Sequence, residues 1–183
     1  MRLARRTPLF DLDGTLVDSD AALLAPYTAL GIDPSDHPPL GLPLGEACDR
    51  IGVEVAAYLE LYDPTAVRPF PGVDDLLTHL EIWGLASNKE QGSGRKELAR
   101  LGWQPAVALF TDDFQGRPKR LGPLLTAMAI EPAQAIYIGD TEHDRHCARE
   151  AGVTFALAAW NHRAAAEPDD VVLTTPADLV PLL

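Results

Sequence analysis

Residues 9–18 read Leu9-Phe10-Asp11-Leu12-Asp13-Gly14-Thr15-Leu16-Val17-Asp18. Just upstream, Thr7–Phe10 is a short apolar run that ends at an aspartate. A run that is apolar throughout, not alternating, predicts a strand covered on both faces in a parallel sheet. Asp11 and Asp13 stand two apart past its end, so both carboxylates approach one ligand or metal, and Gly14 lets the chain turn sharply behind them. A calcium loop needs an oxygen ligand at its fifth position and glycine at its sixth; Thr15 and Leu16 stand there, and that reading fails.

The same pattern recurs outward from this stretch. Apolar runs at 82–86, 106–110 and 135–138 precede Ser87-Asn88, Thr111-Asp112 and Gly139-Asp140, and Val153–Ala158 and Val171–Leu173 complete the set. Helical patterns lie between them at 73–81, 90–101, 121–130 and 141–151, with Gly102 and Gly152 as stop signals. The alternation predicts an α/β fold, a doubly wound parallel sheet. Ligands of such folds sit beyond the carboxyl ends of the strands, so the polar residues at those ends are expected on one rim. Residues 19–69 break the alternation. They carry no expected strand but two helical patterns, 21–30 and 44–61, separated by the proline-rich DPSDHPPLGLP. The expected division is a core of 1–18 and 70–183 and a small helical cap of 19–69 inserted after the first strand.

Composition narrows the partners. At 183 residues the chain suits one core plus a small accessory element, and 46% hydrophobic with 23% charged residues excludes disorder and fibrous folds. Its 27 acidic against 15 basic residues give a net charge of −12, which argues against nucleic acid and anionic membrane surfaces as partners. A small anion in a locally positive pocket remains compatible. Cys48 and Cys147 lie far apart and fit reduced thiols, not a disulfide framework. With no signal-peptide pattern and no apolar stretch approaching about 18 residues, a cytoplasmic location is expected. Nothing in the pattern sets an oligomeric state.

Four short motifs carry the chemistry: D-L-D-G-T-L at 11–16, L-A-S-N-K at 85–89, G-R-P-K-R at 116–120 and I-G-D-T-E-H-D at 138–144. In this order they resemble the four motifs of the haloacid dehalogenase-like phosphohydrolase superfamily. The helical insertion, with P-F-P-G-V at 69–73, is similar to the cap of its phosphoglycolate phosphatase and β-phosphoglucomutase branch. The resemblance implies a Rossmann-like core and a phosphomonoester hydrolase acting on a small phosphorylated metabolite. It implies that Asp11 attacks phosphorus to form an aspartyl-phosphate, while Asp13 protonates the leaving oxygen and later activates water. It further implies that Thr15 fixes Asp13 and that Ser87, the backbone N–H of Asn88 and Lys119 hold the phosphate. Mg²⁺ would be bound by Asp11, Asp140 and the backbone carbonyl of Asp13, with Asp144 in support. The usual third motif reads Lys-Pro, whereas Arg117 precedes Pro118 here and Lys119 follows it; Lys119 is favoured, with Arg117 as the fallback.

Electrostatics independently call for cations. Four carboxylates and a phosphate dianion bring about six negative charges together, and each pair at about 4 Å repels by roughly 4 kcal/mol at an effective dielectric near 20. Two other function classes fit less well: a phosphomutase, which needs a tightly closing cap, and a phospho-acceptor signalling or non-catalytic protein of related fold. The H-x-x-H-C string at 143–147 offers too few ligands for zinc and reads as a polar helix face. Trp83, Trp103 and Trp160 read as packing residues.

Overall fold

The computed structural model describes residues 6–183; the first five residues of the expected core segment lie outside the described residues. The chain runs β1 (Thr7–Phe10), β2 (Val17–Asp18), α1 (Asp20–Ala29), α2 (Leu44–Ile51), α3 (Val55–Leu61), β3 (Arg68–Pro69), α4 (Val73–Thr78), β4 (Gly84–Ala86), α5 (Gln91–Leu101), β5 (Val107–Leu109), α6 (Leu121–Met128), β6 (Ala135–Gly139), α7 (Glu142–Ala151), β7 (Thr154–Ala158) and β8 (Val171–Leu173). Six strands form one parallel sheet in the order β5-β4-β1-β6-β7-β8.

Burial follows from the alternation of side chains along a strand. Phe10 of β1 and Ile136 and Ile138 of β6 enter one core with Leu76, Leu77 and Leu85. Their neighbours Leu9 and Tyr137 enter a second core on the opposite face, with Leu121, Leu124 and Cys147. Both faces are covered, which is why these strands read as continuous apolar runs.

Register sets the site. Phe10 pairs with Leu85 of β4 on one side and Ile138 of β6 on the other. β4 and β6 each run one residue past the end of β1, and the residues that follow the three strands, Asp11, Ser87 and Asp140, emerge on one rim. The Asp11 backbone N–H continues the ladder to the Ile138 carbonyl at 2.9 Å, and that of Ser87 to the Leu109 carbonyl at 3.0 Å.

Between β1 and α4 the structure departs from the sequence expectation in two respects. β2 and β3 form a two-stranded antiparallel pair, Val17 opposite Pro69 and Asp18 opposite Arg68, where no strand was expected. Two residues per strand are too few to show a period, and a proline argues against a strand. The 44–61 pattern splits into α2 and α3 because Gly52 adopts φ 69°, a left-handed conformation that ends α2. α1, α2 and α3 share a small core of Tyr27, Cys48 and Tyr58. Among the described residues no helix is long and apolar enough to cross a membrane.

Candidate active site

Asp11 follows β1, Asp140 follows β6, and Asp144 lies in the first turn of α7. All three are buried, and each offers a carboxylate oxygen within 4.8 Å of the others. Thr141 caps α7 reciprocally: its hydroxyl accepts the Asp144 N–H at 3.2 Å, while Asp144 Oδ2 accepts the Thr141 hydroxyl and N–H at 2.6 and 3.0 Å. Gly14 sits at φ 80°, and a Cβ there would lie 2.4 Å from Asp140 Oδ2. Its lack of a side chain lets the D-x-D turn close against the carboxylate.

Lys119 is buried between two members of this group, with Nζ 2.6 Å from Asp11 Oδ1 and 2.7 Å from Asp144 Oδ1. The Tyr137 hydroxyl donates to the same Asp144 oxygen at 3.0 Å. Pro118 divides the segment so that Lys119 turns inward while Arg117 is exposed. Burial pushes Asp11 well above the usual carboxylate range, and the charges of Asp144 and Asp140 add to the rise against Lys119. Burial, and then Asp144, carries Asp140 to about 6. For Asp144 burial acts in the same direction, but the charge and hydrogen bonds of Lys119 and the Thr141 donors outweigh it and hold the carboxyl low. Three carboxyl groups gather around one ammonium, and the oxygen-only donor set suits a hard divalent cation, whose charge would offset the burial that raises Asp11 and Asp140.

Asp13 stands apart from this group. Its Oδ1 accepts Lys89 Nζ at 2.7 Å, and Lys89 also reaches Glu97 Oε1 at 3.0 Å. Burial would lower Lys89, but Asp13 and Glu97 outweigh it and raise it. Burial lifts Glu97 to about 7, against the pull of Lys89. Thr15, expected to fix Asp13, instead donates to Asp140 Oδ1 at 3.1 Å: the turn at Gly14 carries its hydroxyl back toward β6. Ser87 is buried, and its Oγ accepts the Lys89 N–H at 3.2 Å. Asn88 spends its side chain as a strut, Nδ2 donating to the Gly41 carbonyl at 2.7 Å and Oδ1 accepting the Lys119 N–H at 2.7 Å. Its backbone N–H bonds no other described residue.

Sequence reasoning missed part of this site. Lys89 closes the second motif, directly after Ser87-Asn88, and the sequence reading assigns it no role. In the turn after β7, the sequence reading gives Trp160 a packing role and Asn161 none. There Asn161 Nδ2 donates to the Gly14 carbonyl and to Asp140 Oδ2, both at 2.9 Å, and Trp160 Nε1 donates to the Thr15 carbonyl at 2.8 Å. The rule that sites lie beyond strand carboxyl ends was the available signal, because β7 ends at Ala158. No zinc group forms at 143–147: His146 is exposed and faces Glu150 at 3.3 Å, while His143 lies 3.5 Å from the Cys147 sulfur.

A cavity partly open to solvent lies above Asp11 and Asp13. Ser87, Lys89 and Lys119 line its floor, and α1, α3 and the loop before α2 supply the facing wall.

A family model described as haloacid dehalogenase-like hydrolase matches residues 46–158. A phosphoglycolate phosphatase of Xanthomonas campestris pv. campestris is 31% identical over 96% of this chain and 91% of its own length. An N-acetylmuramic acid 6-phosphate phosphatase of Pseudomonas aeruginosa is 27% identical over 100% of this chain and 96% of its own. Among solved structures, a subfamily IA hydrolase of Geobacter sulfurreducens superposes with a TM-score of 0.77 at 21% identity, covering 98% of this chain and 100% of that one.

Proposed function

The chain belongs to the haloacid dehalogenase-like hydrolase family and is a phosphatase, and on that premise we propose that it hydrolyses small phosphomonoesters with Asp11 as nucleophile, Asp13 as acid and base, and Mg²⁺ as cofactor. The observation that carries this reading is the separation of the two aspartates. Asp11 belongs to the buried carboxylate group around Lys119, whereas Asp13 lies outside that group against Lys89. The first place keeps Asp11 beside the residues that would hold the metal; the second leaves Asp13 lining the cavity, where a leaving group would sit.

Asp11, Asp140 and the Asp13 carbonyl would hold the metal, with Asp144 supporting through Lys119. Bound there, Mg²⁺ supplies positive charge to the phosphoryl oxygens and to Asp11. Lys119, Ser87 and the Asn88 N–H receive the remaining phosphoryl oxygens. An Asp11 oxygen attacks phosphorus, the ester P–O bond breaks, and the Asp13 proton passes to the leaving oxygen. Asp13 then takes a proton from water, whose oxygen attacks phosphorus; the bond between Asp11 and phosphorus breaks, which releases phosphate and restores the Asp11 carboxylate. Residues 19–69 act in this reading as a cap on the core, held near the phosphate subsite by the Asn88–Gly41 hydrogen bond.

Hydrolysis of phenyl phosphate, with Mg²⁺ or with chelator, tests the proposal. The native protein turns over only with metal, and Asp11→Asn loses at least about a thousandfold. Turnover indifferent to chelator, or retained by Asp11→Asn, contradicts it.

A further inference from the structure

The cavity has two unlike ends. Its floor is polar and charged, but the wall facing it is built from Leu23, Leu40, Leu42, Leu44, Tyr27 and Tyr58. The tyrosines present rings, not free hydroxyls. Tyr58 donates to the Leu23 carbonyl at 2.8 Å, Tyr27 OH meets the Cys48 sulfur at 3.9 Å, and the neighbouring Tyr62 donates to Glu97 at 2.5 Å.

Positive charge is equally committed. The cations lining the cavity are Lys119, held by Asp11 and Asp144, and Lys89, held by Asp13 and Glu97. The nearby arginines do not line it: Arg50 pairs with Glu46 at 2.8 Å, and Arg163 with Asp20 at 2.5 Å. Glu90 adds an acidic group to the lining. Among the described residues, no uncommitted cation faces the space above the phosphate subsite.

We infer that the alcohol released by this phosphatase is uncharged and partly apolar, and that an ester whose leaving group carries a carboxylate is a poor substrate. The inference rests on the phosphatase reading and specifies its leaving-group side. A carboxylate moved from water onto this wall loses hydration without gaining a counter-ion, and Asp13 and Glu90 repel it. An apolar group of the same shape instead gains burial against leucine and tyrosine. The wall thus distinguishes this chain from what the name of its Xanthomonas relative implies, since glycolate carries a carboxylate.

Isobutyl phosphate replaces the carboxylate of phosphoglycolate with an isopropyl group of the same branching and similar size, so the two esters differ chiefly in charge. The native protein with Mg²⁺ is expected to favour isobutyl phosphate in kcat/KM by about tenfold or more. Leu42→Arg, or Leu40→Arg should the first not fold, shifts that ratio toward phosphoglycolate by about tenfold, with the thermal unfolding transition followed by circular dichroism reporting an intact fold. Phosphoglycolate split as well as or better than its isostere by the native protein, or an unshifted ratio in the folded variant, overturns the inference and leaves the phosphatase reading standing. Absence of turnover of both esters and of phenyl phosphate overturns the two together.

Discussion

Asp11 and Asp13 carry the same side chain two residues apart, and their surroundings divide them. Asp11 is buried with two further carboxylates and Lys119; Asp13 faces the cavity and meets Lys89. Asp13→Asn is expected to slow phenyl phosphate turnover by about 10²–10⁴-fold while leaving Mg²⁺ affinity, read by calorimetry, within about threefold, because in the proposed site only its backbone carbonyl would meet the metal. Gly14→Ala has the opposite signature. A methyl group placed 2.4 Å from Asp140 Oδ2 displaces that carboxylate, so Mg²⁺ affinity falls along with turnover. The D-x-D pair was legible in the sequence because strand end, spacing and glycine coincide within four residues. The Lys89–Glu97 pair was not, because it forms only when α5 turns Glu97 back toward the end of β4.

At the scale of elements, positions were legible and ends were not. The strand at Val171–Leu173 falls where its apolar run predicts, whereas the helix expected over 73–81 stops at Thr78. Helix ends depend on caps and neighbours that periodicity does not record. The β2–β3 pair was invisible for a related reason: its stability is tertiary. α5 packs so closely on the end of β5 that a Cβ at Gly94 would lie 2.2 Å from the Phe110 ring. Gly94→Ala should therefore cost about 1–3 kcal/mol in urea unfolding and disturb the Lys89–Glu97 pair that α5 carries. Arg145 of α7 makes two hydrogen bonds to Asp170, at 2.9 and 2.7 Å, tying the helix to the approach to β8. Those hydrogen bonds hold the Asp170 carboxyl below its usual range. The folded protein thus binds that proton less readily than the unfolded chain, so the pair stabilises above pH about 4 and the contribution is lost as pH falls through the lower folded value. Asp170→Asn should lower the melting temperature at neutral pH and flatten its decline below pH about 4.

For the molecule as a whole, strand–helix alternation made the parallel sheet legible, but the order β5-β4-β1-β6-β7-β8 is a property of long-range pairing that no local pattern states. That order puts β1 between β4 and β6 and thereby gathers Asp11, Ser87 and Asp140 on one rim. With a net charge of −12 and three buried carboxyl groups gathered around a single ammonium, the fold is expected to respond to divalent cations. Saturation with Mg²⁺ at 100 times Kd stabilises by about 2.7 kcal/mol, a rise of roughly 5–10 °C in melting temperature, and Asp140→Asn should abolish most of the rise. The central claim is covalent, however, and is tested most directly by trapping. Asp13→Asn, mixed with phenyl phosphate and Mg²⁺, should accumulate an acyl phosphate that borohydride reduces to homoserine. Peptide mass spectrometry is predicted to find that homoserine at position 11; its appearance at another aspartate, or its absence while native turnover is metal-dependent, contradicts the account.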